Sequence, residues 1–454
     1  MKTKKHEIDM TQGSILKSII AFAIPLMLTN VLQLLYNAID VMVVGRFAGM
    51  HSLAAVGATS SLFYFIVAIF NGFSLGPTVV ISQKYGEGDS ECVHRASHTS
   101  LAMGLIAGIL AMIAGLIVSR PILELMNTPA GGVLEGATLY IRIICLGLPG
   151  QLVYNYSAAV MRGVGDTKRP FYILMTTGIV NLVLNLFFVI VLKMGVAGVA
   201  LATIIANYLS AVIAVCFLIN SNGDFKIYIK KLRMYKDEVL SFVKIGIPMG
   251  VQALLSNGVN IVVQSSVNSF GDVVVAGNAA ATNIDTIIWM ALNSFCSAAI
   301  TCVGQNYGAK NQRRVKKAIY SPVVCVFVLA ILLGAICLLF GRNILGLYIA
   351  DSAEAIEFGL IRMKVILPLY FLSGIGQALD GVLRGFGYSN ISLYNTLLGG
   401  NIPIILWIYF VFPFNRTFEM LLAVYPIGWL LVICLHVVSL MVLWKKIKRR
   451  MVEI

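Results

Sequence analysis

The chain has 454 residues, 59% of them hydrophobic and only 12% charged, with a formal net charge of +14. A soluble domain carries about 45–50% apolar and about 25% charged residues, so this composition excludes an ordinary soluble protein and requires lipid-facing surface. The basic residues fall between apolar stretches, which makes them marks of membrane orientation and excludes a nucleic-acid partner as the reason for the charge.

Residues 1–13 are polar and basic. The apolar run after them is too long for a signal-peptide core and lacks a small-residue cleavage site, so a retained first helix is expected. A bilayer span needs about 20 mainly apolar residues. About twelve such stretches follow, at 15–44, 53–82, 96–118, 137–160, 170–192, 196–219, 239–267, 273–303, 318–340, 356–383, 391–412 and 418–444. The expected fold class is all-α: a polytopic membrane protein of about twelve transmembrane helices in two pseudo-symmetric six-helix bundles.

Alternate loops differ in charge. One set holds Lys2, Lys4, Lys5 and Lys17; Lys84 and Arg95; Arg162, Lys168 and Arg169; Lys226 to Lys236 and Lys244; Lys310 to Lys317; Arg384; and Lys445 to Arg450. The other holds only Arg46, Arg120, Lys193, Arg342 and Arg416, with Arg142, Arg362 and Lys364 near span starts. The positive-inside rule then places both termini in the cytoplasm, in a bacterial inner or plasma membrane. The eight cysteines, such as Cys145, Cys216, Cys325 and Cys434, lie mostly in apolar stretches with no CxxC, and read as small buried apolar residues.

The two halves repeat. Phe22-Ala-Ile-Pro25 and Ile245-Gly-Ile-Pro248 open the first and seventh helices. Gln83-Lys-Tyr-Gly86 and Gln305-Asn-Tyr-Gly308 close the second and eighth. Met161-Arg-Gly-Val-Gly165 and Leu383-Arg-Gly-Phe-Gly387 close the fourth and tenth. All three pairs stand about 222 residues apart. Six spans separate each pair, so the repeats are parallel, related by an axis along the membrane normal. The expected organisation is an N-terminal bundle at 1–220, a basic cytoplasmic linker at 221–238 and a C-terminal bundle at 239–454, with a central cavity between two bundles working by alternating access.

Polar groups inside a span must face protein. In the first helix Thr29, Gln33, Asn37 and Asp40 share one face. Gln33 and Asn37 suit a hydrogen-bonded seam as well as a substrate cavity; Asp40 carries a charge that a seam does not need. Thr177, Asn181 and Asn185 share a face of the fifth span, and Thr203 lies in the sixth. Asp40, Asn185 and Thr203 each lie six or seven residues from their outer helix ends, roughly 10 Å. A carboxylate, amide carbonyls and a hydroxyl at one level can hold a small cation or tune a carboxylate that takes a proton. The seventh span instead shows Gln252, Ser256, Asn260, Gln264 and Asn268, each four apart. The eighth shows Asn278, Thr282, Asp285, Trp289 and Asn293. These stripes suggest one wall of a wet cavity, with Asp285 either functional or a satisfied structural acid. Phe63, Tyr64, Trp289 and Met290 are adaptable side chains for a broad-specificity surface or ordinary core.

Other groups read as local. Asp380 precedes Arg384 by four and suits an ion pair. His94 and His98 have helical metal spacing but no third ligand, so no metal is expected. Glu87, Asp89 and Glu91 read as a solvated loop face. No Walker motif is present, so ATP is not the direct energy source.

At this point the residues resemble the multidrug and toxic compound extrusion (MATE) family. The resemblance rests on Pro25, Tyr36-Asn37-Ala-Ile-Asp40 and Gly45-Arg46, on Arg162-Gly-Val-Gly165-Asp166-Thr167, on Asn181/Asn185 and on Ala200-Leu-Ala-Thr203, in that order along the whole chain. It implies export of amphipathic, often cationic, organic compounds against an inward proton or sodium gradient, with no cofactor beyond the coupling ion. It also implies a cation site of Asp40, Asn181, Asn185 and Thr203 with Tyr36 beside it, and a helix kink at Pro25. A single chain in lipid, working as a monomer on small organic molecules, is expected. One branch of the family carries acids where this chain has Ser256 and, nearest, Ser373, which argues against a cation site in the C-terminal half.

Three competing functions need features the sequence lacks. A flippase for lipid-linked oligosaccharide or cell-wall precursors needs a strongly cationic cavity, and no intramembrane arginine cluster is visible. A membrane enzyme needs a His/Asp/Glu or Cys constellation at an interface. A channel has no use for a coupled acid in one half.

Overall fold

The computed structural model describes residues 7–48, 50–126, 128–129, 132–349 and 352–452, with backbone alone at 48, 50–54, 58, 60–69 and 71. Among the described residues the regular structure is entirely helical. In chain order it comprises α1 (Ile15–Val43), α2 (Met50–Glu87), α3 (Ser90–Leu125), α4 (Val133–Leu146), α5 (Leu148–Gly163), α6 (Lys168–Leu186), α7 (Gly195–Ile219) and α8 (Lys236–Asn268). Then come α9 (Asp272–Gly308), α10 (Gln312–Leu339), α11 (Gly341–Tyr348), α12 (Ala353–Ile366), α13 (Tyr370–Gly385), α14 (Ser389–Thr396), α15 (Ile402–Leu406), α16 (Phe418–Leu422) and α17 (Val424–Val452). Among the described residues ten helices are long and apolar enough to cross a membrane, eleven with the bent pair α4–α5. The 38-residue α2 lies where the sequence places its second span.

Several expected spans are less regular than their hydropathy suggests, and in three of them a proline sits at or beside the irregularity. The fourth bends by 44° between α4 and α5, where Pro149 cannot supply the N–H that would continue the helix. The tenth passes through a 3₁₀ turn at Leu367–Leu369, around Pro368. The eleventh is α14 and α15 joined through a π-helical turn at Leu397–Asn401, with a second π-helical turn, Trp407–Val411, after α15. Helix α1 runs through Pro25 as one continuous helix.

The repeat is visible in backbone detail. Asp89 caps α3 by accepting from the Cys92 N–H at 3.0 Å, and Asn311 caps α10 by accepting from the Arg314 N–H at 3.1 Å. Gly165 and Gly387 both take positive φ, +91° and +84°. After each, the chain closes the same bond: Asp166 N–H to Met161 O at 2.8 Å, Tyr388 N–H to Leu383 O at 2.9 Å. Asp89 is therefore a helix cap as well as part of a solvated face with exposed Glu87 and Glu91, and Glu87 pairs with Lys84 at 2.8 Å.

The helices form two compact units, one of Met1–Asp9 with Pro25–Gly250, the other of Met10–Ile24 with Val251–Ile454. In the first, α5 packs along α2, α3 and α7, around buried Leu123, Ile141, Leu148 and Leu152. In the second, α9 packs along α10, α12 and α13. The start of the chain is shared between them. Ile8 donates its N–H to Gly165 O at 3.3 Å in the first unit, and a Cβ on Gly165 would stand 2.2 Å from the Ile8 oxygen, so only glycine fits. Two residues on, Met10 is clamped in the second unit. Its N–H donates to Gln305 Oε1 at 2.9 Å, and its carbonyl accepts from Asn306 Nδ2 at 3.0 Å and an Arg314 Nη at 2.8 Å. Arg314 also donates to the carbonyls of Gln12 and Gly13.

The basic linker is packed, not an open tether. Phe225 and Ile227 are buried. Tyr228 donates its N–H to His98 Nε2 at 3.0 Å, and Tyr235 donates to Thr99 Oγ1 at 3.1 Å. His98 Nδ1 meets His94 O at 2.8 Å. Both ring nitrogens of His98 are thus engaged with backbone, and helical spacing alone does not make this pair a metal site. Among the described residues no group of three or more His, Cys, Asp or Glu could hold a metal.

Candidate functional site: a polar cluster in the first unit

Asp40 opens the last α-helical turn of α1 and is half-buried. Facing it, α6 presents Thr177, Asn181 and Asn185, all buried. α7 brings Thr203 and Ser210. Helix α1 can close on α6 because residue 178 is glycine: a Cβ there would lie 1.9 Å from Cζ of Tyr36. The Tyr36 hydroxyl donates to Met175 O at 3.3 Å.

The side chains form one connected set. Asn185 Nδ2 donates to Asp40 Oδ1 and also to Asn181 Oδ1 at 3.2 Å. Asn181 Nδ2 reaches Thr203 Oγ1 at 3.5 Å, and Thr203 donates to Val199 O at 3.0 Å. A turn further along, Ser210 donates to Thr177 Oγ1 at 2.8 Å. The structure thus brings Asp40, Asn181, Asn185 and Thr203 together. Tyr36 braces the same helix pair through its ring, with its hydroxyl on a backbone carbonyl. Thr29 is also buried and donates to Pro25 O at 2.8 Å. Gln33 and Asn37 stand exposed on α1, outside the bonded set.

The donor arrangement has a chemical meaning. An ionised carboxylate only accepts hydrogen bonds, and Asp40 accepts from the Asn185 amide. The other end of that amide, Asn185 Oδ1, is buried with no hydrogen-bond partner. Such an orphan is costly unless something fills it. Turned over, the amide would instead present Oδ1, which can accept from a protonated carboxyl or face a hard cation.

The stripe of the seventh span separates into parts in the second unit. Gln252 donates to Thr396 Oγ1 at 2.9 Å and accepts from Arg384 at 3.0 Å. Arg384 pairs with Asp380 as the four-residue spacing implies, and the Ser392 hydroxyl donates to the same carboxylate. Ser256 meets Asn401 Nδ2 at 3.5 Å. Asn260 and Gln264 are exposed, and Gln264 donates to Asn268 at 2.8 Å.

On α9, Trp289 is exposed whereas Asp285 is buried. Asp285 Oδ2 accepts from Arg362 Nε at 2.9 Å and Nη at 2.8 Å, and Arg362 also donates to Asn278 Oδ1 at 2.8 Å. Sequence reasoning placed Arg362 near a span start; the structure puts it nine residues into α12, 7% exposed. The available signal was Asp285 itself, since an acid buried among apolar spans requires a cation from another span. The side chains of Phe63 and Tyr64 lie outside the described residues.

Comparison with known proteins identifies the family and the fold. A model of the MatE family matches residues 25–187 and again 248–409, once in each half. The probable multidrug resistance protein YpnP of Bacillus subtilis is 28% identical over 381 residues, 84% of each chain. The multidrug export protein MepA of Staphylococcus aureus is 21% identical, covering 87% of this chain and 86% of its own. Among solved structures, a MATE protein crystallised with MaL6 superposes with a TM-score of 0.88 at 22% identity, over 98% of this chain and 99% of that one. An outward-facing multidrug resistance MATE family transporter superposes with a TM-score of 0.86 at 22% identity, over 99% of both chains. At such identities these structures establish the fold. With its family match recurring in both halves, the chain belongs to the MatE family: it is a multi-pass membrane transporter, not an enzyme.

Proposed function

We propose that the chain is a secondary active antiporter that exports organic, often cationic and amphipathic, drugs or toxins in exchange for protons or sodium ions by alternating access. Asp40 carries the coupling ion, with Asn181, Asn185 and Thr203 as its oxygen-bearing neighbours. The observation that carries this reading is the bonded chain Thr203–Asn181–Asn185–Asp40 with its one unpartnered amide oxygen. The relatives' names, multidrug resistance and multidrug export proteins, support the substrate class.

Loading Asp40 with a cation neutralises it and changes its interaction with the Asn185 amide. That change alters the contacts between α1 and α6, and a ligand shifts a conformational balance only by such differential affinity. Alternating access would use the two halves as its moving bodies; the candidate substrate-facing residues are Gln33 and Asn37 in the first half and Gln252, Ser256, Asn260, Gln264 and Trp289 in the second, where Asp285 is neutralised by Arg362. A precursor flippase is disfavoured because the buried guanidiniums of Arg362 and Arg384 are each neutralised by an aspartate.

The test is uptake of an organic cation into proteoliposomes, with proton and sodium gradients imposed separately. Transport driven by one gradient is expected; transport indifferent to both would refute antiport. Orientation follows from the basic loops, with both termini and the linker cytoplasmic in a bacterial plasma membrane. Ser221 is buried, so a reporter cysteine belongs at exposed Lys230. Lys230→Cys should resist an impermeant thiol reagent in intact cells and react in opened ones.

A further inference from the structure

The first unit carries a second feature that cation coupling does not use. A groove of about 220 Å³ opens between α2, α3, α5, the linker and α8, lined by Phe70, Phe73, Met103, Ile106, Met234 and Ile247 among others. Its lining is apolar side chain almost throughout. Drug-sized ligands occupy about 300–1,000 Å³ with a few convergent polar groups, so this groove is too narrow and too apolar for one. It fits a chain of methylenes.

The linker end of the groove is cationic. Arg95 and Arg233 both stack on the ring of Tyr235, next to groove-lining Met234, with guanidinium carbons 4.8 and 4.3 Å from its centre. Two like charges on one ring repel unless an anion joins them. The acids nearby are Asp237, which is 90% exposed and 3.7 Å from Arg95, and Glu238. Against them stand Lys226, Lys230, Lys231, Arg233 and Lys236 within 226–238. Arg95 Nε is buried with no hydrogen-bond partner.

The spacing joins rim and groove. Along α3, Met103 and Leu110 follow Arg95 by eight and fifteen residues, about 12 and about 22 Å of helix. A cationic rim therefore sits above an apolar slot of acyl-chain depth. We propose that this groove binds one acyl chain of an anionic phospholipid, with its phosphate held by Arg95 and Arg233. The rim's charge selects against a cationic drug and for an acidic headgroup.

The probe is phosphatidylglycerol carrying a photoactivatable acyl chain, used on the full-length protein in nanodiscs, with the zwitterionic phosphatidylcholine analogue as comparison. Phosphatidylglycerol should label the α3 segment 103–110 and the start of α8 several-fold more than phosphatidylcholine. Arg233→Ala, on the exposed linker, should reduce that preference about fivefold, the effect of one surface cation. Ile247→Trp should block labelling by filling the slot, and Ile106→Trp on the opposite wall should repeat the result, which separates occlusion from misfolding. Equal labelling by the two lipids would overturn the headgroup assignment. Labelling that survives both tryptophans in folded protein would overturn the groove.

Discussion

Asn185 donates its side-chain amide to the carboxylate of Asp40, joining α6 to the end of α1 across 145 positions of sequence. The same nitrogen also reaches Asn181, so one amide ties the acid to a second asparagine and leaves its own oxygen unpartnered. This contact depends on α1 lying close against α6, and that closeness depends on residue 178.

Gly178→Ala should therefore weaken the site without touching a polar group. The new methyl would meet the Tyr36 ring, and overpacking of this kind costs about 1–3 kcal/mol. A lower Tm of the detergent-purified protein is expected. In a Tyr36→Ala background the cost of Gly178→Ala should disappear, because the two residues are in direct contact. Additive losses would mean that Tyr36 does not set the α1–α6 distance.

Arg362→Met should be among the most destabilising single changes in the second unit. It leaves Asp285 buried and unpaired, a loss of about 3–5 kcal/mol. Asp285→Leu combined with Arg362→Met removes both charges and should recover most of that stability. Thermal unfolding of the three variants decides it. A double variant no better than the single would assign the pair a role beyond mutual neutralisation.

Asp89 gives a pH dependence with a definite sign. Hydrogen bonds from Cys92 at the start of α3 hold its carboxyl below the usual aspartate value. Its cap therefore contributes fully above about pH 4, the unfolded value, and is lost as pH falls through the lower folded value. Asp89→Asn keeps a cap acceptor and should flatten this part of the acid stability profile. Loss of the cap in Asp89→Ala should cost about 1 kcal/mol at neutral pH.

The helical class and the repeat were legible because each rests on local signals: apolar runs of span length and recurring Pro and Gly at helix ends. The meeting of Asp40, Asn181, Asn185 and Thr203 was also legible, since Asn181 and Asn185 lie four apart and depth can be counted from a helix end. Arg362 was not, because a cation near a span start satisfies the loop-charge pattern whether it faces solvent or turns inward. The bend at Gly147 was hidden for a related reason, as hydropathy is continuous across a break that only Pro149 marks. The clamp of Arg314 on Met10, Gln12 and Gly13 joins residues about 300 positions apart with no shared pattern.

The central claim is that Asp40 carries the coupling ion. Asn at this position keeps the size and one acceptor but cannot take up a proton or sodium ion as a charge. The decisive measurement is gradient-driven efflux of an organic cation by wild type and Asp40→Asn, reconstituted at equal amounts of folded protein, with substrate binding measured in parallel. The account predicts that the variant binds substrate and remains folded while gradient-driven efflux is abolished. Coupled efflux at the wild-type rate in Asp40→Asn would contradict it.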